Sequence, residues 1–262
     1  MIALALAVFA AQPGGFPVAL VASRPGDTIN LKAGAHGLVR LTNRRDLTLN
    51  WMPGATGSLA IVKSSGIVSR GGLLTNPGGY AVQVQGSSGV SLFLPVIRAS
   101  DRAIVFDRST DFAVTGADIA GMAVDGINIA SSQRGRIIGT KCRAFAQIDD
   151  RHPDCIQGWS RPDTGVTSDI LIQGSDIEGN FQGIFFGNHV RDGVDDGGFD
   201  RITVRANKVT VSFPNGIRLD ACRQCSMVNN VVRTVPGSAF QTRAYTVGGS
   251  VTMTGNDVGA MP

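Results

Sequence analysis

The chain has 262 residues, of which 43% are hydrophobic, so it can bury a sizeable core, and its 34 glycines lack the strict period of collagen. The formal net charge is +4. Because no basic run, zinc-finger spacing or aromatic nucleic-acid motif occurs, nucleic acid is not an expected partner. Gly, Ser, Thr, Asn and Val crowd the places where helix formers would stand, which favours short strands joined by tight turns.

The first predicted element is the apolar run over residues 2–11, IALALAVFAA, which ends in small residues. It is typical of the core and cleavage region of a signal peptide with Ala10 or Ala11 at the cut, although no basic residue precedes it. The alternative is a first strand that caps the fold. The run is far shorter than the ~20 residues of a membrane span. We therefore expect residues 1–20 to be a leader or a cap, residues 21–262 to form one domain, and the protein to be secreted or periplasmic.

A phrase of the form apolar-x-Gly/Ala-x-Asn/Asp/Lys-apolar repeats at Val114–Ile119, Ile172–Ile177, Val204–Val209 and Met253–Val258. Predicted strands begin about 22 to 25 residues apart, which is the length of a β-solenoid coil. Apolar residues alternate with polar or small ones within each phrase, as in a half-buried strand. The sequence predicts an all-β, single-domain right-handed parallel β-helix. Stacked amides at one turn position are predicted for Asn207, Asn230 and Asn256.

A second phrase, x-Gly-Ile-x-apolar, begins at Asp125, Asp154, Gln182 and Asn215, with Cys155 in place of Gly in one copy. If the isoleucine of each copy points into the core, the residue after it points outward. The phrase therefore predicts an external row formed by Asn128, Gln157, Phe185 and Arg218. The first residues of the four copies would form a second row, where each strand starts.

Three successive loops are enlarged on coils that are otherwise minimal: 144–153, 159–169 and 187–201. Long loops on a rigid scaffold gather binding residues, so these loops are predicted to wall a cleft. The first loop carries the densest charge in the chain, in the segment from Asp149 to Asp154. Cys142 and Cys155 bracket that segment, and a bridge between them would staple it. Cys222 and Cys225 form a lone C-x-x-C, and the pairing of the four cysteines stays open at this stage.

The segment Ser23–Leu31 followed by Ala33 and Gly34 resembles the first coil of the pectate-lyase-like β-helix superfamily. That superfamily contains polysaccharide lyases, glycoside hydrolases, epimerases, tailspikes and proteins without known catalysis. Compared with the motifs of polygalacturonase-type hydrolases, this chain keeps Asp125, Asp154 and Arg218. It departs from them at three further positions, which carry Pro153, Gln182 and Asp220. The order of residues 150–154, Asp-Arg-His-Pro-Asp, is also loosely similar to the Asp-Pro-His-Asp motif of mannuronan C5-epimerases.

These residues predict cleavage of a uronic-acid polysaccharide by β-elimination. Arg218 would neutralise the substrate carboxylate by two-point contact, and His152 would be the base because its ordinary pKa lies near neutrality. Asp154 and Asp125 would be supporting carboxylates. Sugar-binding side chains are predicted at Gln157, Trp159, Asn128, Phe185, Gln182 and Arg151. Asp149 and Asp150 are candidate ligands of a calcium ion.

Two alternatives remain at the level of sequence. An inverting hydrolase would use Asp125 and Asp154 as its acid and base. A non-catalytic β-helix, such as a surface adhesin or a tailspike-like binding module, would use the same residues for structure or binding. In that case His152 caps a turn or pairs with Asp150, and Arg218 is a surface ladder residue. The sequence leaves the polysaccharide and the oligomeric state open.

Overall fold

The structure, a computed structural model, describes residues 6–145 and 152–260. These ranges contain one short helix and 26 strands: β1 (Val8–Ala11), α1 (Phe16–Ala22), β2 (Thr28–Leu31), β3 (Gly34–Thr42), β4 (Thr48–Val62), β5 (Val68–Leu74), β6 (Tyr80–Gln85), β7 (Ser91–Phe93), β8 (Val96–Arg98), β9 (Arg102–Asp107), β10 (Thr110–Thr115), β11 (Asp118–Ala120), β12 (Asp125–Ala130), β13 (Gln133–Ile138), β14 (Lys141–Arg143), β15 (Asp154–Trp159), β16 (Thr167–Gln173), β17 (Asp176–Gly179), β18 (Gln182–Phe186), β19 (Val190–Arg191), β20 (Val194–Asp195), β21 (Phe199–Arg205), β22 (Lys208–Val211), β23 (Asn215–Val228), β24 (Val231–Thr234), β25 (Arg243–Thr254) and β26 (Asp257–Ala260).

Apart from β19 and β20, which form an antiparallel pair of their own, the strands stack in parallel, each on the equivalent strand of the next coil, and form three ladders around a common core. The first ladder runs β1, β2, β4, β5, β7, β10, β13, β16, β21, β23, β25. The second runs β3, β4, β5, β8, β11, β14, β17, β22, β24, β26. The third runs β3, β4, β6, β9, β12, β15, β18, β23, β25. The fold is the predicted right-handed parallel β-helix.

The core is a set of apolar columns that run along the helix axis. Ile127 pairs with Ile156, Ile156 with Ile184, and Ile184 with Ile217, and all four side chains are fully buried. Each column buries one aliphatic residue per coil, spaced by the ~4.8 Å between paired strands. This confirms that the isoleucine of the x-Gly-Ile phrase faces inward, which fixes the outward direction of its neighbour.

Side-chain ladders satisfy backbone groups at two of the bends. The backbone N–H groups of Asn207 and Asn230 each donate to the side-chain oxygen of the asparagine one coil later, at 3.0 Å, so the predicted amide ladder is present. Sequence reasoning missed a second ladder at the bend between the third and first ladders. There Ser64 N–H donates to Ser87 Oγ at 3.1 Å, and the pattern continues through Ser109 and Ser132.

The N-terminal end of the core is covered by the residues that the sequence assigned to a leader or a cap. β1 pairs in parallel with β2, and α1 packs Phe16 and Ala19 against the core. No helix within the described ranges is long and apolar enough to cross a membrane.

Both cysteine pairs are bonded. Cys142 is joined to Cys155, with 5.9 Å between their Cα atoms, and the bridge closes the charged loop as the sequence suggested. Cys222 is joined to Cys225 within β23. All four cysteines are therefore in disulfides, and the C-x-x-C pair is held as a bond within one strand.

Candidate functional site

The outer face of the third ladder carries the predicted row. Asn128 pairs with Gln157, Gln157 with Phe185, and Phe185 with Arg218, on four consecutive coils. The row continues upstream to Val105 and downstream to Tyr245. Inward isoleucines precede the row on five of these six coils, so its side chains point away from the core, although Asn128 and Val105 are nevertheless buried. The predicted register of the row is therefore confirmed, whereas its first predicted member, Asn128, is buried rather than exposed.

An open cleft of about 490 Å³ lies over the middle of this face. Its floor contains Gln157 and Trp159, and its walls come from the enlarged loops that follow β15 and β18. The first loop contributes Arg161, and the second contributes His189 and Arg191. Two of the three long loops thus border one cleft, as the sequence predicted. Cationic and aromatic side chains reach it, and two acidic side chains, Asp163 and Asp196, line it as well.

The cleft continues upstream as a groove of about 330 Å³ that shares Trp159 and Arg161 with it. The groove is lined by Tyr80 and Arg102 from earlier coils, and by Asn128 of the row. A ligand that follows the helix axis would pass from one cavity to the other over Trp159.

Asp125 and Asp154 lie below the row, at the starts of β12 and β15. Their residues are only 5% and 1% exposed. The backbone N–H of Asp154 donates to Asp125 Oδ1 at 3.1 Å, and Asn128 Nδ2 donates to Asp125 Oδ2 at 3.2 Å. Burial, reinforced by the neighbouring Asp125 carboxylate, raises the pKa of Asp154 well above its ordinary value. Asp154 is therefore a buried carboxyl that favours its protonated form.

Arg218 lies at the downstream part of the row and has several partners. Its guanidinium forms an ion pair with Asp220 at 2.8 Å and lies over the rings of Phe185 and Tyr245, at 5.1 and 5.4 Å from their centroids. The hydrogen bond to Asp220 raises the pKa of Arg218, so the side chain stays cationic. About a quarter of the Arg218 side chain is exposed, and Arg218 lines neither the cleft nor the groove described above.

His152 is exposed at the edge where the strands of the third ladder start. Its ring lies 6.5 Å from that of Phe213, in the turn that leads into the strand of Arg218. Gln182 is buried nearby and accepts a hydrogen bond from Asn215 at 2.5 Å. The structure therefore brings His152 to the coil of Arg218, but places Gln182 beneath the surface rather than in the cleft.

Three predicted site residues, Asp149, Asp150 and Arg151, lie outside the described residues. Among the residues that are described, no group of three or more His, Cys, Asp or Glu side chains is arranged to hold a metal ion. The calcium site therefore stays a prediction that depends on the charged loop.

Sequence reasoning missed four residues that line the two cavities: Arg161 and His189 in the cleft, and Tyr80 and Arg102 in the groove. A signal existed for Arg102, because it pairs with Asp125 in register and opens the phrase Arg-Ala-Ile-Val-Phe on the preceding coil. A search that required glycine at the second position passed over it. Arg161 and His189 stand in loops whose paths no repeat predicts.

Comparison with known proteins supports the fold. No protein-family model and no curated protein matches the chain in sequence. Among solved structures, an alginate lyase from Paenibacillus sp. str. FPU-7 superposes with a TM-score of 0.56 at 13% identity, covering 96% of this chain and 99% of that one.

A mannuronic acid specific polysaccharide family 6 lyase from human gut microbiota gives a TM-score of 0.64 at 11% identity, covering 87% of this chain and 59% of that one. The surface adhesin PfbA of Streptococcus pneumoniae gives 0.55 at 10% identity, covering 89% and 79%. The chain thus has the parallel β-helix fold that polysaccharide lyases share with adhesins. At these identities the likeness concerns the fold alone.

Proposed function

We propose that this protein cleaves a uronic-acid-containing polysaccharide by β-elimination on the outer face of the third ladder. The observation that carries the proposal is the make-up of that face. An arginine stacked on an aromatic ring and a pair of amides follow one another in register, and Trp159 lies two residues along the strand from Gln157, between two long loops. Polysaccharide lyases among the structural neighbours add support at the level of fold.

The proposed chemistry assigns one role to each charged group. Arg218 binds the substrate carboxylate and makes the proton at C5 more acidic. His152 takes that proton, the electrons of the C5–H bond form the C4–C5 double bond, and the glycosidic oxygen leaves C4 with its bonding pair and takes up a proton from water. Gln157 and Trp159 hold the sugar, and the buried Asp125 and Asp154 support the strand starts below it. Calcium, if Asp149 and Asp150 bind it, would add charge neutralisation next to the loop of His152.

Hydrolysis by Asp125 and Asp154 receives less support. Both residues are buried, and Asp125 already accepts hydrogen bonds from the Asp154 backbone and from Asn128. An inverting hydrolase needs two carboxyls that flank the scissile bond with room for a water molecule.

Binding without cleavage is a second candidate function, and a specific contact favours it. Arg218 already has a carboxylate partner, Asp220, in a partly buried ion pair. A substrate carboxylate must compete with Asp220 before the arginine can acidify the C5 proton. In this function the same face holds an acidic polysaccharide and leaves it intact.

The test is ultraviolet absorbance of unsaturated uronate ends during incubation with a panel of acidic polysaccharides, with calcium or with a chelator. Wild type is compared with His152→Ala and His189→Ala, and His36→Ala is the matched control outside the cleft. We expect a signal that is lost in His152→Ala and kept in the control. New reducing ends without absorbance would indicate hydrolysis, and binding without either product would indicate the second function.

We also propose that the protein works outside the cytoplasm. Two disulfides and no free cysteine are typical of oxidising compartments. A cut at Ala10 or Ala11 would remove most of β1 from its pairing with β2. N-terminal sequencing of the protein recovered from the periplasm or medium distinguishes a cleaved leader from a retained cap.

A further inference from the structure

The upstream groove contains two arginines that the proposed chemistry does not use. Arg102 starts β9 and lies with its guanidinium carbon 5.9 Å from the centroid of the Tyr80 ring. Arg161 comes from the loop after β15 and lies 6.0 Å from the Trp159 ring. Both line the same groove of about 330 Å³. Cations backed by aromatic faces are positioned by the rings without having their outer N–H groups consumed.

Neither guanidinium has its donors fully engaged by described residues. Arg161 uses Nη1 to bind Asp107 Oδ1 at 2.8 Å. Arg102 approaches the buried Asp125 only through Nε, at 3.4 Å. A guanidinium has five N–H donors in a fork that matches carboxylate or sulfate oxygens, so donors remain for an anionic ligand.

A buried acceptor in the groove also lacks a partner. Asn128 is fully buried, its Nδ2 donates to Asp125 Oδ2 and Gln157 Oε1, and its Oδ1 has no partner among the described residues. Because both neighbours of the nitrogen are acceptors, the orientation of the amide is determined. A buried acceptor without a donor costs free energy that a ligand hydroxyl would recover.

Asp107 occupies the position in which an anionic ligand would meet Arg161. Its Oδ1 accepts from Arg161, and its Oδ2 accepts from Arg108 at 2.9 Å and from Gln85 at 3.2 Å. Since two arginines hold one carboxylate, this corner of the groove keeps a net positive charge. The ion pair also joins the loop after β15 to the end of β9, which lies two coils earlier on the same face.

We propose that Arg102, Arg161 and Asn128 form a binding subsite for an acidic sugar residue, separate from Arg218. In the free protein the Asp107 carboxylate occupies the position on Arg161 that a ligand carboxylate or sulfate takes. The proposal rests on the proposed function in that it adds a second anchoring point for the same polymer. It concerns binding and does not require cleavage.

The test measures dissociation constants of three hexasaccharides, one of uronic acid, one sulfated and one neutral. The background is His152→Ala, so that the ligand is not consumed. The readout is tryptophan fluorescence. The chain has two tryptophans, of which Trp159 lines the groove and Trp51 is buried in the core. Added substitutions are Arg161→Gln, Arg102→Gln and Asp107→Asn, with Arg70→Gln as the matched control, since Arg70 lies over Phe93 on the first ladder.

Arg161→Gln and Arg102→Gln should each weaken binding of an acidic hexasaccharide by about tenfold or more, because a charge-assisted contact is lost. Asp107→Asn should strengthen it by about threefold or more, since it frees Arg161 and removes one negative charge from the groove. Arg161→Gln and Asp107→Asn break the same ion pair, so opposite effects separate ligand binding from a structural role. If the affinity for the uronic acid hexasaccharide changes in this way, the ligand group is a carboxylate. If the affinity for the sulfated one changes, the ligand group is a sulfate.

Effects of the same sign for these two variants would overturn the proposal, as would equal losses for acidic and neutral sugars or no acidic binding by the parent protein. Thermal melts of every variant check the fold. If Arg161→Gln does not fold, Arg102→Gln alone decides, because it leaves the Arg161–Asp107 pair intact. Opposite effects without any cleavage would uphold the subsite and reject the lyase. Cleavage by the wild type, together with effects of the same sign for Arg161→Gln and Asp107→Asn, would uphold the lyase and reject the subsite.

Discussion

Replacing Asp154 with asparagine tests the electrostatics beneath the candidate site. The carboxyl of Asp154 is 1% exposed, and its Oδ1 has no hydrogen-bond partner among the described residues. Burial and the adjacent Asp125 both disfavour its ionised form and raise its pKa. Asparagine has nearly the same shape and never ionises, so Asp154→Asn removes the cost of a buried charge while keeping the packing.

The expected direction of the pH dependence follows from the protonation of Asp154 in the folded and in the unfolded chain. Below a pH of about 3.9 the carboxyl is protonated in both the folded and the unfolded chain, so ionisation adds no difference. Above that pH the unfolded chain releases the proton while the folded chain retains it. Stability of the wild type therefore falls as pH rises towards the raised folded pKa. The steepest loss relative to Asp154→Asn is about 1.4 kcal/mol per pH unit.

The assay is urea unfolding of both proteins, disulfides intact, at a series of pH values from acid to neutral. We expect the variant to gain on the wild type as pH rises, with the difference levelling off above the folded pKa. Asp111→Asn is a control of opposite sign, because the hydrogen bond from Arg134 lowers the pKa of Asp111. Its wild-type advantage should be present above about pH 3.9 and lost on acidification. A difference between wild type and Asp154→Asn that does not change with pH would refute the reasoning.

Three further substitutions probe the scaffold through urea unfolding. Replacing Cys142 and Cys155 with serine should cost about 3 kcal/mol, since the bond closes a separation of 13 residues; an unchanged midpoint would mean that the bridge does not form. Asn230→Ala should cost about 3 kcal/mol, because it leaves two buried backbone groups of the earlier coil, Asn207 N–H and Val204 C=O, without their partner; a loss within 0.5 kcal/mol, roughly that of a surface substitution, would contradict the ladder. Gly158→Ala should cost about 1–3 kcal/mol, because the new Cβ would meet the Phe186 ring at 2.3 Å; no change would show that the ring can move aside.

The register of the site could be predicted because one residue type marks it. An isoleucine recurs at the same point of four coils, and the two-residue period of a strand then fixes which neighbour faces outward. The row of Asn128, Gln157, Phe185 and Arg218 follows from that anchor alone. The asparagine ladder was also predictable, because the coil length brings equal residues to one bend.

The contributions of the loops could not be predicted in the same way. Arg161 reaches the groove because it pairs with Asp107, which lies 54 residues earlier in the chain. Nothing local to either residue records that contact. The burial of Asp125 and Asp154 was missed for a related reason. A position at the start of a strand is ambiguous between surface and interior until the path of the preceding bend is known.

The hydrogen bonds of the side-chain ladders also relate to the order in which the coils are synthesised. In every step of the serine and asparagine ladders, the backbone N–H belongs to the earlier coil and the accepting oxygen to the later one. During synthesis, a newly made coil therefore keeps an unsatisfied donor at its bend until its successor emerges and supplies the acceptor. Each coil supplies the acceptor for the one made before it, so the backbone donor at the newest bend lacks its ladder partner until the next coil is made.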